Sequence, residues 1–124
     1  MMSLYTALVT AMKGLTQASG TTSEPDKILP VAEDGWDTRP DAESYGIISL
    51  EFEAGHMDGD NRKQHRAYEG SIDLYSRNKY GNGWVQLIEQ VLNQHCDSTW
   101  YMNRPGYENN TKLYHFEWIF QIEG

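Results

Sequence analysis

Strict alternation of apolar and polar residues constrains the fold of this chain more than any other feature of its sequence. A period of two is typical of a strand that buries one face. The segments YGIISLEFEA (45–54) and AYEGSIDLYSR (67–77) alternate in this way and carry acidic residues on the polar side. The last segment, KLYHFEWIFQIE, aligns five large apolar residues on one face: Tyr114, Phe116, Trp118, Phe120 and Ile122. The chain therefore needs a sheet with one core face, and we expect this final strand to be central in it.

Two further segments have helical periodicity. Apolar residues recur at helical spacing between residues 3 and 15, and again in WVQLIEQVLNQ, residues 84–94. The segment ILPVAEDGW predicts a short edge strand, because Pro30 cannot donate a ladder hydrogen bond. Together these segments predict an α+β fold, in which helices pack on one antiparallel sheet in the order helix, three strands, helix, two strands.

The length of 124 residues fits one domain, 1–124, with a single core. Residues 16–27 are rich in Ser, Thr and Gly and predict a flexible connection. Residues 55–66, GHMDGDNRKQHR, predict a long polar hairpin loop. The phases of the strands and of the second helix predict nine mostly buried side chains: Leu50, Phe52, Ile72, Leu74, Leu87, Val91, Phe116, Trp118 and Phe120.

Composition excludes several classes of function. A formal charge of −8 and a pI near 4.8 argue against sequence-specific or tight nucleic-acid binding, which depends on Lys and Arg. The single Cys96 cannot close an internal disulfide, and we expect it to be an inert apolar residue in a reducing compartment. The N-terminus lacks the pattern of a signal peptide, and no apolar run is long enough to span a membrane. We therefore expect a protein that is made inside the cell and binds no membrane.

The loop at 55–66 contains residue types that can bind metals, namely His56, Asp58, Asp60 and His65. Their spacing matches neither a calcium-binding loop nor a structural zinc site. We therefore predict a solvated loop without a metal.

The acidic residues Glu51, Glu53, Glu69 and Asp73 could supply two opposed carboxylates for acid–base catalysis, if one of them were buried. Alternation on a half-polar sheet explains them equally well. The sequence has no phosphate-binding loop, dinucleotide-binding motif or nucleophile elbow. No catalytic residue and no cofactor are predicted.

Five stretches together resemble tail terminator, or tail-completion, proteins of long-tailed bacteriophages and prophages. They are LYTALVTAMKGL, EDGWDTRPDAESYGIISLE, YEGSIDLYSR, WVQLIEQVLNQ and YENNTKLYHFEWIFQIE, and they cover most of the chain. The resemblance implies a structural virion protein without enzymatic activity, made in the bacterial cytoplasm. Such a protein forms a ring, typically hexameric, that ends the tail tube and joins it to the head. Its partners would be a tail-tube protein and a head-completion protein.

On this interpretation the polar face of the sheet and the long loop provide the contacts between subunits or the wall of the channel. The candidate residues are Glu51, Glu53, Glu69, Asp73, His56, Asp58, Asp60, Arg62 and Lys63. Two alternatives stay open. One is a small α+β ligand-binding or enzymatic domain, in which the aromatic strand Tyr114 to Ile122 curves around an apolar pocket closed by the helices. The other is a different neck or connector protein.

Overall fold

The computed structural model describes residues 2–18, 23, 26–54, 67–96 and 99–123, and in these ranges the chain forms two helices and seven strands. Side chains are described in the same ranges except at residues 2, 3, 51–54, 67, 104 and 123. The helices are α1 (Met2–Lys13) and α2 (Trp84–Cys96), and a 3-10 turn, Gly81–Gly83, precedes α2. The strands are β1 (Thr16–Gln17), β2 (Lys27–Ile28), β3 (Val31–Glu33), β4 (Ser44–Ala54), β5 (Ala67–Ser76), β6 (Trp100–Glu108) and β7 (Leu113–Glu123).

The strands divide into two sheets. β1 and β2 form a small antiparallel pair, and the other strands form a five-stranded sheet in the order β3-β4-β5-β7-β6. In the larger sheet β3 runs parallel to β4, and all other neighbours are antiparallel. β7 lies between β5 and β6, so the final strand is an interior strand, as its apolar face predicts.

The predicted α+β arrangement, one antiparallel sheet in the order helix, three strands, helix, two strands, is wrong. Between α1 and α2 the described residues form five strands in two sheets, and one strand pair is parallel. The segment around Pro30 was predicted to be one short edge strand. Pro30, which has no N–H, instead separates two short strands that pair with different partners. Before Pro30 the chain pairs with β1, and after it the chain pairs with β4. Both ends of the predicted flexible connection, at residues 16–17 and 27, therefore lie in paired strands.

The helices pack on one face of the large sheet and form the core with it. Trp118 and Phe120 of β7 are fully buried there. The buried indole N–H of Trp118 donates to Glu89 Oε2 at 2.9 Å, which ties β7 to α2. Each large side chain buried in this way contributes roughly 1.5 to 3 kcal/mol. Burial is confirmed for six of the nine predicted core residues, namely Ile72, Leu74, Val91, Phe116, Trp118 and Phe120.

The other three predicted core residues differ from these. Leu50 and Leu87 are only partly buried at the edge of the core. The side chain of Phe52 lies outside the described part of the structure. A β-bulge between Leu50 and Phe52 makes Glu69 the backbone partner of Phe52, whereas an unbroken register would pair it with Tyr68. A single extra residue changes the face on which the following residues lie, so alternation alone could not place Phe52.

Gly70 of β5 is packed tightly between the neighbouring strand β4 and the ring of Phe120. A Cβ atom at this position would be 2.3 Å from the carbonyl oxygen of Ser49 and 2.5 Å from Cζ of Phe120. We predict that Gly70→Ala lowers the free energy of unfolding by about 2 kcal/mol or more, because the backbone oxygen cannot move without breaking the β4–β5 ladder. Urea unfolding measures this change.

Gly46→Ala is the matched control for this substitution. Gly46 is also a buried sheet glycine, but a Cβ there would meet no atom closer than 3.5 Å. We expect its free energy of unfolding to stay within about 0.5 kcal/mol of the wild type. Equal effects of the two substitutions would contradict the close approach at Gly70.

Candidate functional site on the outer face of the sheet

Four aromatic rings form a row on the outer face of the sheet, the face opposite the helices; three of them are stacked and the fourth packs edge to face. Tyr45, Tyr75 and His115 are direct cross-strand partners on β4, β5 and β7. Their ring centroids lie 5.2 Å apart for the two tyrosines and 4.3 Å apart for Tyr75 and His115. Trp36, from the connection between β3 and β4, meets Tyr45 edge to face at 6.4 Å and donates to the Gly46 carbonyl oxygen. We call these four residues the ring stack.

His115 lies between two carboxylates. Its Nε2 atom is 2.6 Å from Asp73 Oδ1, and its Nδ1 atom is 2.9 Å from Glu108 Oε2. The three side chains are 8, 15 and 26 % exposed, in the order His115, Asp73, Glu108. A neutral imidazole has one N–H and could donate to only one of the two carboxylates. The geometry therefore fits an imidazolium ion that donates to both and links β5, β6 and β7.

Two opposing effects set the pKa of His115. Burial lowers this pKa, but the hydrogen bond and charge of Asp73, followed by those of Glu108, outweigh burial, so the pKa is raised above its ordinary value. Burial, followed by the charges of Asp73 and Glu108, raises the pKa of Tyr75 to about 12. Tyr75 is therefore a neutral phenol at physiological pH and stacks on a charged ring.

A groove with a volume of about 350 Å³ opens beside the ring stack. It is lined by aromatic, charged and hydroxyl side chains, including Trp36, Arg39, Tyr45, Tyr75, Glu108 and Thr111. A second recess of about 380 Å³ shares Arg39, Tyr45 and Thr111 with the groove and adds Arg77 and Lys112 to the lining. Because they share these lining residues, the groove and the recess are adjacent, at the end of the sheet where β5 ends and β7 begins.

The structure brings together only part of the predicted set of site residues. Asp73 lies on the outer face, but the sequence analysis expected it to face water and it is instead enclosed by His115. Glu69 lies on the same face at the far end of β5, where its Oε1 atom accepts a long bond of 3.4 Å from Gln121. Glu51 and Glu53 belong to β4, but their side chains lie outside the described residues, as do all of His56, Asp58, Asp60, Arg62 and Lys63.

The arrangement is poorly suited to nucleophilic or acid–base chemistry. Both nitrogens of His115 are already engaged, and its side chain is almost fully buried. Burial raises the pKa of Cys96 to about 11, so very little thiolate forms at neutral pH. Within the described ranges, no group of three or more His, Cys, Asp or Glu residues is arranged to hold a metal ion. What the arrangement does provide is a buried charge, the His115 imidazolium held between two carboxylates.

The ring stack, including His115, and the groove were not predicted from the sequence. His115 lies at a polar position of the final strand, Tyr75 lies at one in β5, and Glu108 ends β6. Nothing in these separate stretches indicates that the residues meet. A histidine on the acidic face of a sheet is the signal that could have indicated the site. That signal becomes visible only once β5 is known to pair with β7.

The chain matches no protein-family model, and it has no significant match among curated proteins. Neither of the helices in the described part of the chain is long and apolar enough to cross a membrane.

The raised pKa of His115 predicts a pH dependence of stability. Because the imidazolium is favoured in the folded state, its contribution is fully present below the unfolded pKa of about 6.5 and is lost as the pH rises through the higher folded pKa. We expect the difference in unfolding free energy between the wild type and His115→Gln to be about 2 kcal/mol at low pH and to shrink as the pH rises. Urea unfolding at pH values below and above the unfolded pKa of about 6.5 measures this difference.

His95→Gln is the control, because His95 has no carboxylate partner among the described residues and lies in the last turn of α2. We expect this variant to keep the pH dependence of the wild type. A difference between the wild type and His115→Gln that stays constant with pH would contradict the doubly paired imidazolium.

Proposed function

We propose that this protein is a structural component of the virion of a long-tailed bacteriophage or prophage. It forms a ring, expected to be hexameric, at the end of the tail tube and joins the tail to the head. Its partners are the tail-tube protein and a head-completion protein. The proposal rests on the resemblance of five stretches of the sequence to tail terminator proteins.

The observation that supports this proposal best is the exposed aromatic edge of the sheet. β6 is the last strand on its side of the sheet, and it carries two exposed tyrosines, Tyr101 and Tyr107, which are 58 and 47 % accessible. Tyrosine is enriched at protein interfaces because it buries a large area at a small cost in side-chain entropy. Tyr101 pairs with Ile119 of the outer face, and Tyr107 pairs with Tyr114, which packs against the core. The edge strand therefore presents one exposed tyrosine on each face of the sheet to another subunit.

The backbone of the same strand favours contact through side chains over addition of a strand. Pro105 has no N–H, and the register of β6 shifts between Met102 and Arg104 at a bulge. Both features hinder continuous strand pairing, which otherwise leads to open-ended aggregation. The edge thus limits uncontrolled stacking and leaves the tyrosines available for a defined contact.

A small ligand-binding protein is the second candidate, and the groove beside the ring stack favours it. Three aromatic rings and the guanidinium of Arg39 could hold a small aromatic anion there. This groove lies on the outer face, whereas the sequence-based alternative placed a pocket between β7 and the helices, where Trp118 and Phe120 are fully buried in the core. Native mass spectrometry distinguishes the candidates: a monomer with a co-purified small molecule would favour the carrier, and a ligand-free ring the terminator.

The test of ring formation is sedimentation velocity combined with negative-stain electron microscopy of the purified chain. We expect closed rings with a central hole. We predict that Tyr101→Ser weakens ring assembly about tenfold, because a buried interface tyrosine commonly contributes more than 1 kcal/mol. Circular dichroism should be unchanged, because the side chain is exposed in the subunit.

Tyr80→Ser is the matched control. Among the described large apolar residues Tyr80 is the most exposed, at 75 %, and it lies in the turn before α2. Its neighbour Lys79 lines a pocket with Pro105 to Tyr107, at the other end of β6 from Tyr101. We expect this variant to assemble like the wild type. A chain that stays monomeric at every concentration, both alone and with tail tubes, would contradict the proposal. Coding sequences for head-completion and tail-tube proteins beside this one would be independent support.

A further inference from the structure

The side chain of Tyr45 is buried, but its hydroxyl group has no hydrogen-bond partner among the described residues. Tyr45 is only 5 % exposed. Buried tyrosine hydroxyls usually have a partner, because an unpaired polar group away from water costs free energy. Tyr45 lines both the groove and the adjacent recess. A ligand in this region could therefore accept the hydrogen bond that the hydroxyl does not make within the chain.

Three cations line the recess beside this hydroxyl: Arg39, Arg77 and Lys112, all of them exposed. In the described part of the chain Arg39 and Lys112 form no ion pair, and Arg77 forms only a long one of 3.7 Å with Asp41. Burial raises the pKa of the Tyr45 phenol, and the charge of Arg39 partly opposes this rise, so the hydroxyl remains a neutral donor near a guanidinium. Donors and positive charge together favour an anionic oxygen ligand.

The walls of the groove suit the organic part of such a ligand. Trp36, Ile47 and Tyr75 present aromatic and aliphatic surface, and the volume of about 350 Å³ lies within the usual range of small-molecule sites. Glu108 also lines the groove, and the chain as a whole has a charge of −8. A singly charged carboxylate meets less repulsion there than a doubly charged phosphate.

We infer that the groove and recess bind a carboxylate that is attached to an aromatic group. The carboxylate accepts hydrogen bonds from the guanidinium of Arg39 and the hydroxyl of Tyr45, and Lys112 adds positive charge. The aromatic group lies against Trp36 and Tyr75. The inference goes beyond the proposed ring and does not depend on it, because one copy of the chain supplies every residue of this site.

Titration of the full chain with phenylacetate, followed by two-dimensional proton–nitrogen NMR, tests the site. We expect a Kd of about 1 mM or tighter, given the small size of this probe. The signals that shift should include the indole N–H of Trp36 and the backbone N–H groups around Tyr45. Phenylacetamide is the matched control, because it has the same shape without the charge. We expect it to bind at least about tenfold more weakly.

Two substitutions test the donors separately. Arg39→Gln should weaken phenylacetate binding at least about tenfold, and Tyr45→Phe about fivefold, because each loses a hydrogen bond to a charged group. Tyr45→Phe should leave the midpoint of thermal unfolding unchanged, because the hydroxyl has no partner in the protein. Lys27→Gln is the control, because it removes a positive charge from the small sheet and Lys27 lines neither the groove nor the recess.

Several results would overturn the inference. They are no shift around Tyr45 at phenylacetate concentrations well above the expected Kd, equal binding of phenylacetamide, unchanged affinity in Arg39→Gln, and a loss of stability in Tyr45→Phe. Inorganic phosphate that binds as tightly as phenylacetate would overturn the assignment to a carboxylate.

A short peptide that ends in phenylalanine identifies the source of the carboxylate. If it binds more tightly than phenylacetate, and amidation of its C-terminus abolishes binding, the site is for the C-terminus of a protein. If it binds more weakly, the site is for a free small molecule. Either result, together with the effect of Arg39→Gln, supports the carboxylate site.

Discussion

The antiparallel pairing of β5 with β7 is the interaction on which the rest of this structure depends. It joins the N-terminal half of the chain to the C-terminal hairpin through ten residue pairs, from Ala67 with Glu123 to Ser76 with Tyr114. One face of this ladder places Ile72 beside Trp118 in the core, and the other places Tyr75 beside His115 in the ring stack. A slip by one residue would exchange the two faces and destroy both the core and the site at once.

Local periodicity was enough to predict the features that depend on one segment alone. The apolar phase of β7 and the buried face of α2 follow directly from residue spacing, and the structure confirms them at Trp118 and Val91. Features that depend on two distant segments were not predictable in this way. The pairing of β1 with β2, the parallel pairing of β3 with β4 and the bulge before Phe52 all depend on which strands meet. The predicted order of elements failed for this reason.

The candidate site, too, has one feature that a single segment predicts and others that depend on two segments meeting. The sequence places acidic residues on the outer face of the sheet, and Asp73 does lie there. The expectation that this row faces water fails because a histidine from a strand about 40 residues away pairs with it. Burying three ionisable groups together is tolerated only when each charge has a partner. The cluster meets this condition only as a whole, through the pairing of His115 with Asp73 and Glu108. None of the three residues alone indicates the cluster in the sequence.

If the chain assembles as proposed, the free edge of the sheet at β6 constrains the geometry of the contact. A heterologous contact closes into a ring only if each subunit is rotated by a fixed angle relative to the last; otherwise it extends into a filament. Continuous strand pairing at β6 would fix a sheet-like geometry with no natural end, and Pro105 and the bulge oppose it. In the proposed ring, contact through exposed side chains such as Tyr101 would leave the angle between subunits to side-chain packing. The edge strand is thus compatible with the proposed ring, because it opposes the continuous pairing that would extend a filament.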